Sequence, residues 1–140
     1  MTDDELVSEF EAGTLKEFPH RSHVRLTIVY LFRRGREDTL RLMAEGLLRF
    51  ATIKGSPGKF HATQTRAWVE LIESARIAHP EAADALALIS ACPELLDRDA
   101  LDHFYSPDRL TGDAARARWV EPDRASIQWL PSIFSSRHRS

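Results

Sequence analysis

Apolar residues return at steps of three and four along most of this chain, and proline or glycine interrupts the pattern at intervals. That rhythm predicts helices joined by short breaks. Thr2 and Glu5 have capping-box spacing, and Leu6, Phe10 and Leu15 supply the apolar side of a first helix. Phe18-Pro19 ends it, and a second helix is expected to run to about Arg34 with Gly35 as its C-cap. A third, Glu37 to Thr52, carries Leu40, Met43, Leu47 and Phe50 on one stripe, read as core. The linker Gly55-Ser56-Pro57-Gly58-Lys59 superficially looks like a phosphate loop, but it lacks the motif's spacing and no strand precedes it. A fourth helix, from about Lys59 to Ala78, turns Trp68, Leu71, Ile72 and Ala75 inward, and Pro80 is expected to start a fifth that stops before Pro93.

Beyond Pro93 the pattern shortens. Leu95 to Phe104 is expected to form a sixth helix, Ser106-Pro107-Asp108-Arg109 a capped turn, and Asp113 to Trp119 another short helix. The tail has no clear period, yet Trp129, Leu130, Ile133 and Phe134 need burial and are expected to pack back on the bundle, with Ser135 to Ser140 frayed. The expectation is an all-α, single-domain helical bundle of about five to seven helices over residues 1–124, followed by an irregular tail over 125–140.

Composition narrows the class. At 43% hydrophobic and 29% charged residues the chain is of the folding rather than the disordered kind. Its longest apolar run, Leu26 to Phe32, is far short of the ~20 residues a membrane span needs. An acidic N-terminus and a single cysteine, Cys92, point to the cytoplasm and away from a disulfide framework; Cys92 reads as a small buried filler. A net charge of −2, with no basic helix carrying interleaved aromatics, argues against nucleic acid as a partner. The one dense basic cluster, Arg33, Arg34 and Arg36, sits where cations complement a helix C-terminus.

Three histidines carry the candidate chemistry. His20 and His23, three residues apart, share a helix face, and His61 opens the fourth helix. Short connections make consecutive helices antiparallel, so the second and fourth run parallel and bring all three imidazoles to one end of the bundle. The positive end of a helix dipole favours neutral imidazole, the form that binds metal or takes a proton. His20, His23, Thr27 and Tyr30 make a polar stripe on an otherwise apolar helix, the mark of a lined cavity; His61, Thr65 and Trp68 offer a matching face, with Arg66 beside it. His79 reads as a helix boundary, His103 beside Tyr105 as a fourth polar group, and His138 lies in the tail.

Three elements also resemble a family of small, uncharacterised bacterial all-α proteins. They are Pro19-His20-Arg21-Ser22-His23-Val24-Arg25, then Pro57-Gly58-Lys59-Phe60-His61-Ala62-Thr63-Gln64-Thr65, and Tyr105-Ser106-Pro107-Asp108-Arg109-Leu110, with Pro122-Asp123 near the end. The resemblance implies that His20, His23, His61, Thr65 and the Tyr105 segment belong to one shared pattern; it carries over no activity.

Two functions compete on these grounds. In the first, a histidine-lined pocket serves an enzyme acting on a small, anionic molecule. In its metal version His20, His23 and His61 hold zinc or a similar divalent ion with one open position. In its metal-free version a histidine is the acid-base group. Arg25 or Arg66 would hold the anion, and Thr27, Tyr30, Thr63, Thr65 and Tyr105 would orient the ligand. On this view replacing His61 abolishes activity at little cost in stability. In the second, the chain is a non-enzymatic ligand-binding or protein-interaction module with structural histidines, its contacts made by the Trp129–Phe134 tail and the arginine cluster. Self-association into a homo-oligomer is compatible with either.

Overall fold

The computed structural model, which describes residues 1–131 and 134, begins with α1 (Asp3–Ala12) under a complete capping box. The Glu5 amide donates to Thr2 Oγ1 at 3.1 Å and the Thr2 amide donates back to Glu5 Oε1 at 2.9 Å. Leu6 and Phe10 point inward from α1, and Leu15 is buried just beyond it. The second and third expected helices form one element, α2 (His20–Ile53), bent at Gly35, whose φ of 81° and ψ of 174° lie outside helical space. A positive φ of this kind favours glycine, the only residue without a Cβ to clash. The chain reverses there, so Phe18, just before α2, and Phe50, near its far end, bring their ring centroids within 5.9 Å.

After a 3₁₀ turn at Pro57–Lys59 comes α3 (Ala62–Ala78), whose Ala67, Trp68, Val69, Leu71, Ile72 and Ala75 meet the first arm of α2 in the core. That arm is apolar on most sides, and Val24, Leu26 and Ile28 are fully buried. The second arm is tied to α3 by Arg36, whose Nε and Nη2 donate to the two carboxylate oxygens of Glu70 at 2.7 and 2.8 Å. Arg33 and Arg34 pair with Asp4 and Asp38, so the basic cluster is occupied within the molecule.

The fifth helix is shorter than expected. α4 spans Ala85–Ala91 and starts not at Pro80 but at Asp84, whose carboxylate accepts from the Ala87 amide at 2.8 Å. The expected sixth helix is replaced by two 3₁₀ turns, Pro93–Leu96 and Ala100–His103. Between them Asp97 turns its carboxylate onto the Asp99 amide, the local competition by which aspartate interrupts helices. α5 (Pro107–Thr111), capped by Ser106, and α6 (Asp113–Ala117) fall where the capped turn and the short helix were expected. All the helices pack into one all-α bundle, and no strand occurs among the described residues.

Trp129 and Phe134 pack onto the bundle and are buried, and the Trp129 amide donates to Ser74 Oγ at 2.7 Å. Leu130 is 39% exposed, contrary to expectation, while Ile133, His138 and the segment 135–140 lie outside the described residues. Among the described residues no helix is long and apolar enough to cross a membrane.

One close approach fixes α1 against the second arm of α2. A Cβ at Gly46 would stand 2.0 Å from the Phe10 ring, a distance no side chain tolerates. Gly46→Ala is therefore expected to destabilise the fold by roughly 1–3 kcal/mol through overpacking, read as a lowered denaturant midpoint.

Candidate functional site

A cavity of about 540 Å³ opens where the N-terminus of α2, its C-terminal turns and the N-terminus of α3 meet. His20, His23, His61 and Thr65 all line it, with Phe18, Phe50 and Trp68 among its walls. The parallel arrangement of the first arm of α2 and of α3 thus brings the three histidines to one end, but their ring nitrogens are in different situations.

His61 is the N-cap of α3. Its Nδ1 accepts from the Gln64 amide at 3.0 Å, so neutral imidazole carries its proton on Nε2, which donates to the Leu110 carbonyl at 2.7 Å. Both nitrogens are used. Burial moves its pKa below the usual histidine value, opposed by the Leu110 bond and assisted by Arg116. Using His61 as a ligand or base would break a bond that holds the fold, which changes the expectation that it acts chemically at little structural cost.

His20 has one nitrogen committed. Its Nε2 lies 3.0 Å from the Leu95 carbonyl and must donate to it, leaving the lone pair of neutral imidazole on Nδ1. Burial lowers its pKa, partly offset by that carbonyl, and nearby Arg98 lowers it further. The ring stands edge to face with Trp68, centroids 4.6 Å apart. His23, one turn on, has its Nε2 buried with no hydrogen-bond partner among the described residues. Burial first, and the neighbouring His20 second, push its pKa down to about 4. Both imidazoles are neutral at pH 7. Among the described residues, no group of three or more His, Cys, Asp or Glu side chains is disposed to hold a metal ion.

Of the other expected site residues only Thr65 lines the cavity. Arg25 pairs with Asp3 at 2.7 Å and ties α1 to α2. Arg66 lies over the Trp119 ring, 4.2 Å from its centroid, and 3.7 Å from Glu70. Thr27 donates to the His23 carbonyl and Thr65 to that of His61, each at 2.8 Å, the back-bond typical of a helical threonine. Tyr30 donates to Glu11 at 2.6 Å; burial and that carboxylate raise its pKa. Thr63 and Tyr105 serve the C-terminal segment: Thr63 Oγ1 donates to the Arg118 carbonyl at 2.9 Å, and Tyr105 donates to that of Val120 at 2.7 Å. Burial pushes Tyr105 up to about 12. The polar stripe on α2 splits because its lower half faces α1 and the core rather than the cavity. His79 caps the end of α3 as expected, and His103 packs its ring on Phe134 instead of joining the site. Cys92 is fully buried, its thiol pushed up to about 12 by that burial.

Three exposed cations line the cavity instead: Lys54, Lys59 and Arg98. Lys54 is anchored by donating to the Lys16 carbonyl and lies over the Phe50 ring, 5.4 Å from its centroid. Among the described residues no carboxylate lines the cavity. A compositional signal existed: with 16 arginines to 3 lysines, two of the lysines flank the Gly-Ser-Pro-Gly linker.

Two measurements follow from these nitrogens. His61→Ala removes a helix cap and a buried bond and is expected to lower unfolding free energy by about 1–3 kcal/mol in denaturant titration. A neutral buried histidine leaves the unfolded chain binding more protons, so its stabilising effect is complete above pH 6.5 and falls as pH drops toward 4. His23→Gln is expected to flatten that acid limb when melting temperature is followed from pH 7 to 4. Set against known proteins, the chain matches no family model, no curated protein and no solved structure.

Proposed function

We propose that this protein binds a small anionic molecule in the histidine-lined cavity and acts on it by histidine acid-base chemistry. One observation carries the reading. The cavity joins a neutral, oriented imidazole (His20) and a buried ring nitrogen without a partner among the described residues (His23 Nε2) to exposed cations on its wall. A base needs a pKa below the working pH and a fixed lone pair, and the Leu95 carbonyl supplies the orientation by claiming Nε2. His20 takes the proton on Nδ1, His23 contacts the ligand, and Lys54, Lys59 and Arg98 hold its negative charge in place of Arg25 and Arg66. The lone buried Cys92 and the lack of a membrane-crossing helix among the described residues are compatible with a cytoplasmic protein.

The metal version of this reading is the weaker one, since a divalent ion on His20, His23 and His61 would need the Nδ1 or Nε2 that His61 gives to Gln64 and Leu110. A non-enzymatic ligand-binding module is favoured by a different observation: among the described residues no carboxylate lines the cavity to complete a proton relay. The tests separate these readings. Elemental mass spectrometry of tag-free protein is expected to find no stoichiometric metal; metal that is lost in a His20→Ala/His61→Ala variant would restore the metal version. A screen of small carboxylates and phosphate esters by thermal shift is expected to yield binders. His20→Gln is expected to leave their affinity within a few-fold while reducing any turnover by roughly 10²-fold or more. Binders that are never turned over would leave the binding module.

A further inference from the structure

Resting on the reading of the cavity as a ligand site, we propose that its ligand is a small aromatic molecule with one anionic group, the ring held among the aromatic walls and the charge met at the rim. The cavity has two zones. Its cations, Lys54, Lys59 and Arg98, are exposed, whereas its rings lie deeper: Trp68 is 6% exposed and Phe18 and Phe50 are partly buried. The rings form a connected wall. Phe18 stands 5.9 Å from Phe50 and 5.7 Å from His23, and His23 stands 6.3 Å from Trp68, centroid to centroid. Their interplanar angles of 53°, 52° and 71° offer a guest both ring faces and ring edges. Aromatic pairs prefer tilted and edge-to-face contacts at these separations, so a flat guest finds partners here that an alkyl chain does not use. The His23 Nε2 in the same wall needs one hydrogen-bond partner, which a substituted ring can supply and a plain hydrocarbon cannot.

Size and charge complete the case. A volume of about 540 Å³ lies in the range of small-organic-molecule sites, ~300–1,000 Å³, and is far more than an inorganic ion fills. Three cations, with no carboxylate beside them among the described lining residues, make the rim attractive to an anion, and their exposure keeps the desolvation cost small. A carboxylate and a phosphate monoester share this chemistry, and the probes below tell them apart.

The experiment follows amide shifts of the ¹⁵N-labelled full chain during titration with 2-naphthoate, phenyl phosphate, 2-naphthamide, octanoate and inorganic phosphate. At least one aromatic anion is expected to bind ten times or more tighter than the amide, octanoate and inorganic phosphate, with shifts at residues 18–23 and 64–68. The stronger of the two aromatic anions identifies the head group. A Lys59→Gln/Arg98→Gln variant, altered only at exposed side chains, is expected to lose tenfold or more for the aromatic anion and to keep its affinity for the amide. Equal binding of the amide would overturn the anionic half of the proposal, and equal binding of octanoate the aromatic half. Equal binding of inorganic phosphate would overturn the proposal while leaving an anion site in place. No binding by any probe at millimolar concentration would overturn both this proposal and the ligand-site reading beneath it.

Discussion

His61 ties the start of α3 to a part of the chain almost fifty residues further on. Through Nδ1 it caps α3, through Nε2 it grips the Leu110 carbonyl of α5, and its own carbonyl takes the Thr65 hydroxyl. The cap depends on the ring being uncharged, because an imidazolium has no acceptor left for the Gln64 amide. Burial supplies that condition by disfavouring the charged form. Around this ring the remaining polar residues of the neighbourhood act as stitches: Thr63 to Arg118 and Val120, Tyr105 to Val120, Ser106 to Asp123, Arg109 to Glu121. The C-terminal segment, which has little regular structure of its own, is held against the start of α3 by Thr63 and against residues 105–109 by Tyr105, Ser106 and Arg109.

This explains what could be read in advance. Local signals translated well. The Thr2–Glu5 box, the Ser106 cap and the reversal at Gly35 are each determined by a few adjacent atoms, and the structure has all three. The convergence of His20, His23 and His61 followed from helix direction alone, a property of short connections. What failed was the assignment of polar side chains to the cavity. Whether Tyr30 meets a ligand or Glu11, and whether Arg25 meets an anion or Asp3, depends on which element lies opposite, and helical spacing contains no such information. Pro80 and the 95–104 segment misled for a related reason. Helix propensity there loses to aspartates that bond nearby amides, a contest decided by short-range geometry rather than by apolar periodicity.

The cavity combines two electrostatic regimes that are usually kept apart. Its inner wall is built of rings and uncharged imidazoles, where a charge would be costly to desolvate, and its edge carries solvated cations. The lowered pKa of both α2 histidines follows from the first regime, with the charged form further disfavoured by Arg98 beside His20 and by His20 beside His23, since two adjacent imidazoles resist being charged together. All three histidines line the cavity, but both nitrogens of His61 are committed to the fold while His20 and His23 each keep one that is not, and the difference is made by what each nitrogen meets.

Two of these nitrogens meet main-chain carbonyls, those of Leu95 and Leu110. A carbonyl is present whatever the side chain, so the proton positions on His20 and His61 are set by the path of the backbone through residues 95 and 110. The leucine side chains there answer to core packing alone. Substitutions at these two sites can therefore drift among apolar residues of similar volume while the tautomers stay in place. An insertion that shifts the backbone by one residue would keep every histidine and still lose the proton arrangement.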